Sequence, residues 1–165
     1  MQYIIGIDPG NIESAYVMMD ARTLQPIHFT KMENELMYAH IVDVICRCRN
    51  IDSDDIHFAI EMIASYGMPV GAEVFETCVW IGKLEERLKR FPVSRIYRKD
   101  EKLTICGSPR ANDANITQAL VDRFAPGQPN HGKGTKKSPG WFYGFKKDIW
   151  QAYAVGVTYH DLREG

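Results

Sequence analysis

Three of the most apolar stretches in this chain each carry one carboxylate. Residues 3–8, YIIGID, end on Asp8. Residues 57–63, HFAIEMI, enclose Glu61. Asp148 opens the segment DIWQAYAVGV, whose following turns are almost wholly apolar. An ionised carboxylate is costly to bury unless something compensates it. Each of the three has a plain alternative. Asp8 before Pro9-Gly10 reads as a turn residue, Asp148 as a helix N-cap, and Glu61 as half of an ion pair with an arginine. Taken together they favour a shared task. If the strands that hold Asp8 and Glu61 are neighbours, the two carboxylates meet. Like charges that close need a cation, and hard oxygen donors select Mg²⁺ or Mn²⁺.

The hydrophobic periods order the chain around these positions. Residues 3–8 and 14–19 read as strands close enough to form a hairpin, and 27–31 as a third strand, giving an antiparallel meander. Residues 34–49 read as a helix capped by Asn34, with Leu36, Ile41, Val44, Ile45 and Cys48 near the helical period. A strand over 57–63 follows, then a helix over 71–90 with Val74, Cys78, Ile81 and Leu88 as one stripe. Residues 93–97 read as a strand closed by basic residues. A helix over 112–124 carries Ile116, Leu120 and Phe124, a Gly/Pro/Lys loop spans 125–140, and a last helix spans 147–162. This order predicts an α/β fold, a mixed sheet flanked by helices. With 165 residues and no interdomain linker, one domain over 1–165 is expected.

The net charge of -1 conceals a polarised chain. Residues 1–82 hold four basic residues (Arg22, Lys31, Arg47, Arg49) against twelve acidic. Residues 83–147 hold fifteen basic against six acidic. Local field rather than total charge attracts phosphates, so this asymmetry points to a polyanionic partner. Cys46, Cys48, Cys78 and Cys106 contain no CxxC pair and read as reduced thiols in a cytoplasmic compartment. No apolar run reaches the roughly 18 residues of a membrane span, and the N-terminus lacks a signal-peptide layout.

The segment 127–135, GQPNHGKGT, has the spacing GxxxxGK. A phosphate-binding P-loop needs Ser or Thr where Gly134 stands, and no strand precedes it, so no nucleotide cofactor is expected. The segment reads instead as an arm that contacts the phosphates of a polyanionic partner through Lys133, Lys136, Lys137, Lys146 and Lys147. Trp141, Phe142, Tyr143 and Phe145 either anchor this loop in the core or stack on that partner. Tyr66, Met68 and Pro69, close behind Glu61, are placed to approach the same partner.

Specific motifs carry a resemblance over most of the chain: IGIDPGN, AIEM, KLTICGSPRANDANITQAL and DIWQAYAVGVTYHD. The sequence resembles the RuvC-type Holliday junction resolvases of the RNase H-like superfamily, and within them a phage or prophage branch. The resemblance implies a mixed five-stranded sheet with its first three strands antiparallel. It implies a homodimer in the cytoplasm that cuts four-way DNA junctions with Mg²⁺ or Mn²⁺, two ions per active site. By position, Asp8, Glu61 and Asp148 become the metal ligands and Lys102 the lysine near the scissile phosphate. Two departures stand out. Gln151 occupies the place of a second carboxylate one turn into the last helix, and an amide oxygen can ligate a metal but not neutralise it. Asp113 stands where the family often has lysine. It is either a further carboxylate of the site or an acid complementing a helix dipole. Arg98, Lys99, Arg110 and Tyr66 join the loop lysines as expected DNA contacts.

Overall fold

The computed structural model describes residues 1–48 and 51–164. Five strands form one mixed sheet: β1 (Tyr3–Asp8), β2 (Glu13–Asp20), β3 (Pro26–Glu33), β4 (Ile56–Met62) and β5 (Val93–Tyr97). They lie side by side in the order β3-β2-β1-β4-β5. The first three form the antiparallel meander read from the sequence, and β4 and β5 run parallel to β1 and to each other. The helices are α1 (Asn34–Arg47), α2 (Ala72–Arg87), α3 (Arg98–Cys106), α4 (Asp113–Phe124) and α5 (Asp148–Glu164). The expected end of the first helix, at residue 49, lies outside the described residues.

Strand parity sorts the core into two layers, because successive side chains point to opposite faces. Ile5 and Ile7 of β1 and Ile56, Phe58 and Ile60 of β4 pack with Met37 and Ile41 of α1 and with Trp80, Ile81 and Leu84 of α2. Ile4 of β1 and Ala59 of β4 face the other way, onto α4 and α5. Asp8 shares parity with Ile4 and Gly6, and Glu61 shares it with Ala59. Both carboxylates are thereby aimed at the α5 side of the sheet. The residues of α5 from Ile149 to Tyr159, Gln151 apart, are buried, as expected for a helix that is apolar all round.

Two glycines let α5 lie close. A Cβ on Gly6 would collide with the carbonyl oxygen of Ala152, and one on Gly156 with the tip of Met19. Beyond Asp8 the chain turns through Pro9 and Gly10, and a polar knot fixes that turn. Asn34 Nδ2 donates to the Gly10 carbonyl at 2.9 Å, Ser14 Oγ donates to Asn34 Oδ1 at 2.6 Å, and Trp80 Nε1 donates to Ser14 Oγ at 3.0 Å.

Several expectations change. Asn34 does not cap α1. Glu33 holds the cap position without a side-chain bond, and Asn34 is buried in the knot just described. The inward stripe of α2 is Thr77, Trp80, Ile81 and Leu84, continued by Leu88, while Phe75 and Val79 face outward. Leu36 of α1 is also exposed. Helix α3 was not anticipated at all, because RKDEKLTIC has no apolar period: its one buried residue is Glu101.

Gly6→Ala should lower stability by about 1–3 kcal/mol or more, since the added methyl meets backbone rather than a movable side chain. Urea unfolding checks this, and an unchanged midpoint would mean that α5 does not rest on β1 at this point.

Candidate active site

The carboxylates gather at the C-terminal ends of the parallel strands, where α/β sheets form clefts. The β1–β4 register pairs Gly6 with Ala59 and Ile7 with Ile60, so the next step sets Asp8 beside Glu61. Their side chains lie close enough to disturb each other's protonation. Asp148, in the first turn of α5, lies within electrostatic reach of Asp8. The three carboxylates singled out by sequence therefore converge, although 53 and 140 positions separate the second and third from the first.

Three further acids and two bases complete the cluster. Glu101 on α3 has no solvent access. Its Oε2 accepts from Arg98 Nη1 at 2.7 Å, and its Oε1 has no hydrogen-bond partner. Arg98 also pairs with Asp113, the first residue of α4. On the opposite side Lys31 of the edge strand β3 reaches Asp148 Oδ2 at 2.7 Å and Glu13 Oε2 at 3.3 Å. Asp8, Pro9, Gly10, Glu13, Lys31 and Asp148 line one cleft. An adjoining cleft is lined by Asp113, His131, Lys147, Asp148 and Gln151. Gln151 stands one turn into α5 from Asp148, and its Oε1 is buried without a partner.

Burial and mutual repulsion disturb the acids strongly. Burial, then the charge of Glu61, pushes Asp8 up to about 9. Burial, then the charge of Glu61, raises Glu101 to about 8, against the pull of Arg98. Burial also raises Glu61, which Arg98 and the neighbouring Asp8 partly offset. Among the described residues no group of three or more His, Cys, Asp and Glu side chains is placed to hold a metal ion as it stands. The donor types nevertheless suit a hard divalent ion: carboxylates from β1, β4, α3 and α5 and one amide oxygen, and among these Glu101 Oε1 and Gln151 Oε1 are buried without partners.

The remaining expected residues lie around this cluster. Lys102, next to Glu101 on α3, is half-buried. Lys99, Arg110, Lys136, Lys137, Lys146 and Lys147 are exposed, and Lys133 is half-buried. Arg98, read as a phosphate contact, is instead engaged by Glu101 and Asp113. Tyr66 and Met68 are exposed in the loop after β4. The 125–147 loop is built around its aromatics. Phe142 and Phe145 are fully buried against Trp150 and Tyr153, and Trp141 stacks on Phe124, whereas Tyr143 is exposed. Asp113 opens α4 behind its cap Asn112. Its helix-dipole role and its place near the site therefore coexist. Glu101, Lys31, Glu13 and His131 were missed. Glu101 had a usable signal, an acid directly before the lysine already singled out; the others look like ordinary surface residues.

No protein-family model matches the sequence, and no curated protein matches it either. Solved structures do match. Thermus thermophilus RuvC is similar at 16% identity with a TM-score of 0.64, covering 99% of this chain and 96% of that one. T. thermophilus RuvC in complex with Holliday junction substrate is similar at 14% identity with a TM-score of 0.63, covering 99% and 95%. The strand order, the α5 crossing and these two likenesses agree: the chain folds as a RuvC-like, RNase H-type α/β protein.

Proposed function

We propose that the chain is a divalent-metal-dependent endonuclease for branched DNA, with the four-way junction as its substrate. The observation that carries this reading is the convergence of Asp8, Glu61 and Asp148 at the mouth of a RuvC-like fold. One RuvC of that fold is known in complex with a Holliday junction. Asp8, Glu61 and Asp148, with Gln151 and Asp113 nearby, are the groups that would hold Mg²⁺ or Mn²⁺. When bound, such a cation lowers the pKa of water and offsets charge on the phosphate.

The chain's own residues supply the rest. Lys102 is set beside the cluster to stabilise negative charge on the scissile phosphate. Lys99, Arg110, Lys133, Lys136, Lys137, Lys146 and Lys147 seat the DNA arms through their phosphates. Arg98 contributes by holding the acids in place, and Tyr66 is exposed where it can stack on a base at the branch point. A homodimer suits a two-fold substrate that needs paired cuts. Ile12, Phe75 and Val79 are more than half exposed around one cleft beside α2, an apolar patch suited to a second copy. Among the described residues no helix is long and apolar enough to cross a membrane.

A second reading keeps the fold and the DNA but drops the cutting. Lys31 already neutralises Asp148, and the next turn of α5 offers only the neutral amide of Gln151. A junction-binding protein with weak nuclease activity would look the same. The deciding assay incubates a labelled four-way junction, a flap, a fork and a linear duplex with protein and Mg²⁺, Mn²⁺ or chelator. Paired symmetric nicks in the junction alone, lost with chelator, support the resolvase. Cutting of flaps or forks instead changes the substrate, and tight binding without cutting supports the second reading.

Asp8→Asn should lower junction cutting by at least about 10³-fold, in line with loss of a group that acts on the transition state, while leaving junction affinity within about twofold. Preserved cutting would remove Asp8 from the chemistry. The same variant should stabilise the metal-free protein. Folding raises the pKa of Asp8 and Glu101 above their ordinary carboxylate values, so the folded state holds protons that the unfolded chain has released. The associated stability is complete below about pH 4 and is lost as pH climbs toward 9. Metal-free Asp8→Asn should therefore gain about 1–2 kcal/mol at pH 8 and less at pH 5, measured by chemical denaturation with chelator. A loss at pH 8 would contradict the electrostatic account.

Replacing Lys136 and Lys137 together with alanine should weaken junction binding and reduce the slope of log affinity against log salt by about 2. An unchanged slope would place these lysines off the DNA.

A further inference from the structure

Glu101 is the residue of the cluster that ordinary packing explains least. Its side chain is wholly buried, one carboxylate oxygen is held by Arg98, and the other has no partner. A pair kept only for stability would gain nothing from this position, because well-packed apolar residues serve a core at least as well. Here the acid lies within electrostatic reach of both Asp8 and Glu61, where added negative charge is most unfavourable without a cation. Helix α3 packs against α5. From α5 come Asp148 and, one turn on, the amide oxygen of Gln151, also buried without a partner. So α5 brings one charge and one neutral oxygen to the site, and α3 brings a further charge.

We infer that Glu101 is a carboxylate ligand of the site's divalent cation, supplying from α3 the charge that Gln151 cannot supply from α5. Arg98 is its positioning residue. It fixes Oε2, links α3 to Asp113 on α4, and leaves the buried Oε1 without a hydrogen-bond partner. The inference rests on the metal-dependent reading above, and it adds Glu101 to Asp8, Glu61 and Asp148 as an anionic donor.

The test is calorimetric titration of the full chain with Mn²⁺, paired with melting curves with and without Mn²⁺. Wild type should bind; absence of binding would overturn the metal-dependent reading itself. Glu101→Gln should bind Mn²⁺ about 10-fold or more weakly and lose most of the Mn²⁺-induced rise in melting temperature. Glu101→Asp keeps the charge opposite Arg98 but withdraws it by one methylene. It should show a smaller loss of affinity, and it decides the matter if Glu101→Gln does not fold. The double variant Glu101→Gln, Gln151→Glu should recover binding, because the missing charge returns from α5. Wild-type binding with unchanged affinity in the Glu101 variants, and only a lower melting temperature, would make Glu101 structural and sink the inference alone. A double variant no tighter than Glu101→Gln would overturn the claim that Glu101 stands in for charge at 151.

Discussion

The close approach of α5 to β1 is the constraint on which the site depends. Backbone meets backbone where Gly6 lies under Ala152, and Gly156 leaves room for the tip of Met19. This fixes the height of α5 over the sheet. It thereby delivers Asp148, at the start of that helix, to Asp8 at the end of β1. From Ile149 to Tyr159 every residue of α5 except Gln151 is buried. The helix cannot slide to relieve repulsion between the acids without opening the core that Phe142, Phe145 and Tyr153 close. Packing at one end thus enforces an unfavourable electrostatic arrangement at the other.

That arrangement is stored cost, and the chain manages it with cations of its own. Arg98 sits between Glu101 and Asp113, and Lys31 sits between Asp148 and Glu13. Arg98 offsets part of the repulsion at Glu61, while burial and the neighbouring acids hold Asp8 well above the ordinary carboxylate range. Active sites commonly hold groups in environments that stability alone would reject. If the site holds a divalent cation as proposed, protons compete with it for the same oxygens, which would couple metal affinity to pH.

The sequence displayed the sheet and most of the acids because apolar parity is a strong signal. In IIGID and HFAIEMI the strands alternate toward two packed faces, so each odd charge stands out against its surroundings. The same reasoning failed for α3, and for an instructive reason. A helix is found by the apolar residues it buries, and α3 buries a glutamate. Its periodicity was invisible because its inward position holds a charge rather than an apolar side chain. Phase errors have a related cause. In α2 the alternative stripe through Val74 and Cys78 was as apolar as the true one, because Phe75 and Val79 are left on the surface. Asn34 looked like a cap, but the Gly10 carbonyl needed a donor, and that tertiary demand outweighed the local one. Lys31 and Glu13 were unreadable because an edge-strand lysine opposite an acid is what any soluble sheet carries.

Charge polarity now acquires a place in the fold. The acidic first half of the chain supplies Asp8, Glu13 and Glu61, and the basic segment supplies α3, the exposed lysines of the 125–147 loop, and Arg98 inside the cluster. Acids and bases thus meet at one edge: Asp8, Glu61 and Glu101 are recessed, Asp148, Glu13 and Asp113 reach the surface, and the exposed loop lysines offer positive charge that a phosphate backbone could engage. Net charge near zero is therefore no argument against DNA here. Fifteen of the chain's twenty basic residues fall within residues 83–147, so the local charge there differs from the total.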